Sequence, residues 1–304
     1  MKIAFFTEMG FTGKIPRTHD NMRTEFAWMV ALDADHYNIN STIKEQFDLG
    51  IIIIPKKNPV GSLHIEKFKS ICNKVAVMQE GPHWYFQDYD LPQQIEYYNA
   101  LIESDIIFTH NKSDKIYYEG LTNHKNVRIM PSLMIEDSIK ELPEVKRNNT
   151  IIGGNFVNWY GGFDSYIVAQ EISDTIYAPS MGRKQPGEEE LVTHLPYMYW
   201  KQWIHKLNEF KIGIHLMRTH AAGTFALNCA YLGIPCIGYK GLDTQLKCHP
   251  DTTIELGNLT KAKEIAKKLR KDKDFYLYCS NVAKNNYRKY YNEKIFLNEF
   301  YKDL

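Results

Sequence analysis

The sequence predicts an α/β protein: two doubly wound parallel sheets facing a cleft, followed by a C-terminal helical tail. Three observations predict it. Short apolar runs alternate with helix-length segments twice along the chain. Several of these runs, LGIIIIP at 49–55 above all, are apolar on both faces, as strands between two helical layers are. A charged stretch with Pro143 and no apolar periodicity, EDSIKELPEVKRNN at 136–149, separates the two series. The expected parts are a first domain at 1–145, a second at 146–285, and a closing helix at 286–304 able to pack back on the first.

The first series opens with KIAFFT at 2–7, a buried strand. The loop EMGFTGKIPR at 8–17 carries Gly10 and Gly13 but no GxGxxG, which argues against a dehydrogenase. Thr18 or Asp20 is the expected cap of the next helix, with Phe26, Trp28, Met29 and Leu32 toward the core. His19 and Asp20 lie near the C-terminal edge of the first strand, where open α/β sheets bind ligands. Further strands are expected at 37–39, 49–55, 74–79, 105–109 and 126–130, with helices at 65–72, 91–103 and 116–120. The strand at 74–79 ends at Glu80-Gly81-Pro82-His83-Trp84. Asp88-Tyr89-Asp90 has the form of a DxD metal motif, but its polar aromatic loop favours solvated side chains.

The second series starts with a strand at 150–153, Gly154-Asn155-Phe156 and a loop with Gly161 and Gly162. A helix at 164–172, a strand at 175–178, an exposed loop at 180–190, a strand at 192–197 and a helix at 199–210 follow. The stretch KIGIHLMRTHAAGTFALNCAYLGIPCIG at 211–238 then reads as strand, glycine loop, helix, glycine turn and strand. Arg218 at a strand end, with Gly223-Thr224 opening a helix, suits a phosphate, because helix N-termini offer unpaired N–H groups. The tail holds a basic helix at 259–269 and one or two helices over 274–301.

Composition narrows the function classes. The chain has 304 residues and 44% hydrophobic residues, enough for a sizeable core. Its 37 basic and 36 acidic residues give a formal charge of +1, so only a local basic groove would favour nucleic acid. Five scattered cysteines without CxxC spacing suggest a reduced, cytoplasmic protein. The start MKIAFFTEMG is too short and too soon polar for a signal peptide, and no window suits a membrane span. Zinc spacings, GxxxxGK[ST] and GxSxG are absent, which argues against a zinc scaffold, P-loop chemistry and an α/β-hydrolase.

Two doubly wound domains, a linker and a helical tail resemble the plan of GT-B glycosyltransferases. The 211–238 stretch is similar to that family's donor half-site, down to Gly-Ile-Pro after the helix. IIGGNF at 151–156 is similar to the start of the second domain in phage DNA β-glucosyltransferases. The resemblance implies two Rossmann-like domains, a UDP-sugar co-substrate, no tightly bound cofactor and no essential divalent metal. It places Glu80, in KVAVMQEGPHWYF, where that family carries its catalytic base. It places Asn228 where the family holds the donor ribose with a carboxylate, a departure this chain makes.

Sugar transfer needs a base for the acceptor hydroxyl, positive partners for the departing pyrophosphate and a cleft that excludes water. Glu80 is the first candidate base, with His19, Asp20 and His83 competing, and a carboxylate base suggests inversion. Donor candidates are Gly13, Gly153, Gly154, Asn155, Arg218, Gly223, Thr224 and Asn228, with Arg183 and Lys184 as further candidates from a loop of unknown position. Acceptor candidates are Arg17, Lys56, His83 and Trp84, from basic and aromatic loops that suit phosphates and a flipped base. The implied acceptor is the hydroxymethyl group of a modified cytosine in double-stranded DNA, in the cytoplasm of a phage host. A monomer is expected, with no membrane partner. The alternatives are a glycan, lipid or protein acceptor on the same fold, or a sugar-nucleotide-binding regulator without catalysis.

Overall fold

The computed structural model describes residues 1–55, 60–123, 126–139, 142–157, 159–180, 184–302 and 304. The first domain runs β1 (Ile3–Thr7), α1 (Glu25–Ala31), β2 (Asp35–Asn38), β3 (Phe47–Ile54), α2 (Ser62–Lys69) and β4 (Cys72–Gln79). It continues with α3 (Leu91–Glu103), β5 (Ile106–Thr109), α4 (Lys112–Thr122) and β6 (Val127–Ile129). The six strands form one sheet in the order β2-β1-β3-β4-β5-β6, every pairing parallel. β3 shows why its sequence is apolar throughout. Ile51 and Ile53 enter one hydrophobic cluster, while Ile52 and Ile54 enter the cluster on the opposite face.

The second domain runs β7 (Asn149–Ile152), α5 (Gly162–Ala169), β8 (Ile176–Ala178), α6 (Glu188–Leu191), β9 (Thr193–His194) and α7 (Trp200–Leu207). Then come β10 (Phe210–His215), α8 (Thr224–Leu232), β11 (Cys236–Tyr239), α9 (Asp243–Cys248) and β12 (Thr253–Ile254). Its sheet is also parallel, ordered β12-β11-β10-β7-β8-β9. Strand order reverses between β7 and β10, so their carboxyl ends border a crevice, the place where such sheets bind ligands.

The tail is α10 (Leu259–Lys271), α11 (Lys273–Tyr290) and α12 (Glu293–Tyr301). α12 lies against the first domain. Phe300 stacks on Phe108 of β5 at 5.8 Å, and Arg128 of β6 donates to the Lys302 carbonyl at 2.6 Å. One hydrophobic cluster therefore joins Phe5 and Phe108 of the first sheet to Phe225, Tyr287 and Phe300.

Several expected elements are corrected. Neither Thr18 nor Asp20 caps α1. The chain turns at Pro16–His19, the His19 ring accepts from the Asn21 N–H, and the helix starts only after Thr24, whose φ is 42°. The fourth helix begins earlier than expected, at Lys112 after Asn111, because only its inner face is apolar. The strand expected at 192–197 is confined to Thr193–His194, since Pro196 has no N–H to give a ladder. The 180–190 stretch is not all exposed loop: Glu188 is buried and its carboxylate accepts from the Phe156 and Gln185 N–H groups. The charged 136–149 stretch is pinned, with Arg147 donating to Asn208 and to the Leu232 carbonyl. Asp90 of the DxD-like loop caps α3, accepting from the Gln93 N–H at 2.9 Å.

Candidate active site between the domains

The loops at the carboxyl ends of the two sheets meet and enclose two adjoining cavities of about 270 and 360 Å³. Thr24, Gly153, Thr224 and Phe225 line both. Such volumes suit a small molecule held largely out of water.

The second domain supplies the backbone of the site. Gly153, directly after β7, lets the chain pass close: a Cβ there would sit 2.6 Å from the His215 ring. Gly223 precedes α8 with φ +67°, and a Cβ there would meet the Thr244 hydroxyl at 2.1 Å. A glycine also has no side chain to cap the helix, so the first-turn N–H groups of α8 stay available at Thr224. The loop before α8 is held by the first domain. Asn111 donates to the Ala221 carbonyl at 2.9 Å and accepts from the Asp243 N–H at 2.9 Å, and the Ser132 hydroxyl donates to the Ala222 carbonyl.

Two histidines face the first cavity from strand ends, His110 after β5 and His215 closing β10. Each is 8% exposed. Among the described residues, both ring nitrogens of His215 and Nδ1 of His110 lack a hydrogen-bond partner. Burial pushes each imidazole down to about 4, so both are neutral at pH 7. A neutral imidazole offers one donor and one acceptor, which matches hydroxyl groups such as those of a sugar. Leaving such nitrogens unpaired costs free energy, and a ligand in the cavity would recover it.

Glu80 follows β4 and lines the first cavity from the first domain, beside Gly81 and Pro82. Glu25, in the first turn of α1, lines it too. Tyr85 and Trp84 approach Trp159 of the second domain edge-on, each at 6.3 Å between ring centroids. Asn228, on α8, is buried and lines the second cavity with Arg23. Burial lowers the Arg23 guanidinium from its ordinary value, with Tyr197 opposing, and it donates to the Met198 carbonyl at 2.9 Å.

The structure thus brings Glu80, Gly153, Gly223, Thr224 and Asn228 to the cleft. Trp84 stands at the cleft against Trp159, and the other expected residues that the structure describes stand apart from its two cavities. His19 stacks on Phe26, and Asp20 is exposed beside Lys201, with an oxygen 3.7 Å from Nζ. Gly13 forms a bridge to His36 through two backbone bonds of 2.8 and 3.1 Å. Gly154 packs on Tyr160, and Asn155 is buried with its side chain turned to the Val157 N–H. Arg218 is exposed and held by Asp164 at 2.9 Å, which raises its guanidinium further. Arg17 is shared between Asp137 and Glu293, tying α12 to the first domain. His83 pairs with Asp114. Lys56 and Arg183 lie outside the described residues. Sequence reasoning missed Glu25, His110, His215 and Trp159. Position at a strand end was the only signal for the two histidines, and it does not separate a site residue from a core one.

No protein-family model matches the chain, and no curated protein matches it. Solved structures do. TarM of S. aureus, in complex with fondaparinux, α-GlcNAc-glycerol and UDP, superposes with a TM-score of 0.63 at 11% identity over 83% of this chain. The chain spans about half of TarM, 55% of its length. An α-glucosyltransferase in complex with UDP-glucose and DNA containing an abasic site matches with a TM-score of 0.64 and 14% identity, over 99% of this chain and 98% of that one. Sucrose-phosphate synthase of Thermosynechococcus elongatus matches with 0.69 and 9% identity, over 98% and 97%. At these identities the likeness is one of fold. The chain has the GT-B fold: two parallel α/β domains with C-terminal helices, facing each other across a cleft.

Proposed function

We propose that this protein is a glycosyltransferase that moves a sugar from a UDP-sugar to a hydroxyl acceptor. The acceptor we favour is the hydroxymethyl group of a modified cytosine in double-stranded DNA, in the cytoplasm of a phage host. One observation carries the transferase reading. The cavity at the strand-order reversal is lined by a carboxylate, a glycine-opened helix N-terminus and buried imidazoles with unpaired nitrogens.

In this reading the diphosphate lies at the N-terminus of α8, where Thr224 and the following N–H groups take its charge. Arg23 adds a cation from the first domain; Arg218 reaches the site only by leaving Asp164. Asn228 holds the ribose, through an amide that both donates and accepts. His110 and His215 bind sugar hydroxyls. Glu80 takes the proton of the acceptor hydroxyl as its oxygen bonds to the anomeric carbon. The bond from that carbon to the diphosphate oxygen breaks, and its electron pair leaves with UDP. No step here asks for a metal.

UDP or UDP-glucose in the named complexes supports the donor, and full-length similarity to a protein crystallised with DNA supports the acceptor. Trp84, Tyr85 and Trp159 at the cleft offer surfaces for an unstacked base. A glycan, lipid or protein acceptor competes, since sucrose-phosphate synthase matches over as much of the chain. Stereochemistry has two readings. Glu80 as base to a single displacement gives inversion, whereas the name α-glucosyltransferase and the α-GlcNAc-glycerol bound to TarM favour retention from an α-linked donor.

The test is a panel of UDP-sugars against DNA containing hydroxymethylcytosine or hydroxymethyluracil, read by nucleoside mass spectrometry and product NMR. The expected result is one glycosylated nucleoside, lost by about 10²–10⁴-fold in Glu80→Gln. UDP-sugar consumed only with other acceptors would reject DNA. No consumption with any acceptor would favour a non-catalytic regulator.

A further inference from the structure

Three side chains far apart in sequence meet beside the cleft. His83 follows β4, Asp114 lies in the first turn of α4, and His220 stands between β10 and α8 of the other domain. His83 Nδ1 is 3.1 Å from Asp114 Oδ1, and His220 Nδ1 is 3.6 Å from the same oxygen. All three potential ligand atoms lie within 4.8 Å of one another. We propose that His83, Asp114 and His220 form a binding site for a divalent transition-metal ion of the zinc class, clamping the two domains together.

Two imidazoles and one carboxylate are a ligand set zinc uses, with a fourth position left for water. Bonds of about 2.0–2.1 Å to a tetrahedral ion separate ligand atoms by roughly 3.3 Å. The two separations to Asp114 bracket that value, and the set as a whole lies within 4.8 Å, so closing the site asks the two imidazoles to rotate toward each other. The carboxylate is already oriented: its second oxygen accepts from Asn111 Nδ2 at 2.8 Å, and Asn111 is fixed in turn by the Asp243 N–H at 2.9 Å. Outer partners of this kind hold metal ligands in place. The Ser113 hydroxyl hydrogen-bonds His220 Nδ1 at 2.8 Å, a bond that an ion on that nitrogen would displace. A small cavity of about 10 Å³ borders both His83 and Asp114, close to the space of one water. The competing structure is a hydrogen-bonded His–Asp–His cluster without an ion, which the same distances permit.

The site does not depend on the transferase reading, because its role is to join domains. The full-length protein, stripped with chelator, is titrated with Zn²⁺ by calorimetry and metal analysis, then with Co²⁺ by absorption. One ion per chain, a Co²⁺ spectrum of tetrahedral type and a higher melting temperature with zinc are expected. His83 is 21% exposed against 6% for Asp114, so His83→Gln should keep the fold while weakening affinity by at least about tenfold. Asp114→Asn should remove binding, and circular dichroism reports whether it folds. Substoichiometric uptake, or equal uptake by folded His83→Gln, overturns the proposal in favour of the hydrogen-bonded cluster or adventitious surface binding.

Discussion

His110, His215 and His249 are each buried, and burial holds each near 4 instead of the ordinary 6.5. The unfolded chain binds protons on these rings below about pH 6.5, while the folded chain does so only near 4. Stability from these groups is therefore complete above pH 6.5 and falls as pH drops through 4, by at most about 3 kcal/mol for each ring. Chemical denaturation should show a midpoint that declines steadily from pH 7 to pH 4.5. His215→Asn should reduce that slope by about one third, and equal midpoints at pH 7 and pH 5 would contradict the burial account. These residues also mark what the sequence conceals. The place of Glu80 on the cavity was readable because a carboxylate ending an apolar strand is conspicuous. A histidine ending KIGIH is not, because its empty hydrogen-bonding positions exist only once β7 and α8 close around it.

Among the elements, the proposed donor side rests on α8 and the loop before it. The sequence made this unit readable: alternation in β10, a glycine, helical spacing, and Gly233 at +66° closing the helix. What stayed hidden was its anchoring by Asn111 and Ser132, residues of the first domain some 90 to 110 positions away. Gly223→Ala tests the element. The left-handed φ and the Thr244 hydroxyl in the path of a Cβ should cost roughly 1–3 kcal/mol of stability. UDP affinity should fall with it, because the first turn of α8 must move; unchanged affinity in a folded variant would remove α8 from the donor site. The start of α1 was misread for a related reason. Pro16 and the His19 turn use the polar residues that looked like caps, a local pattern with no apolar periodicity to reveal it.

For the whole molecule, two parallel sheets were visible in the alternation of apolar runs, with a helical tail beyond them. Which loops face each other was not, since this depends on how the domains dock. Docking brings Glu80 opposite α8 and leaves Arg17 committed to Asp137 and Glu293, an ion-pair pattern no motif announces. Among the described residues no helix is long and apolar enough to cross a membrane, and the five cysteines are free and buried. The cavity between the domains is, in the proposed reading, the binding site of a UDP-sugar donor. Calorimetric titration of UDP into the wild type, Glu80→Gln and His215→Ala, with the intact UDP-sugar titrated in parallel, tests it most directly. One UDP site is expected in all three proteins, and an intact donor bound at least about tenfold more weakly by His215→Ala alone, because the proposed site sets the sugar against His215. No UDP binding by the folded wild type, or equal donor affinity in all three, would contradict it.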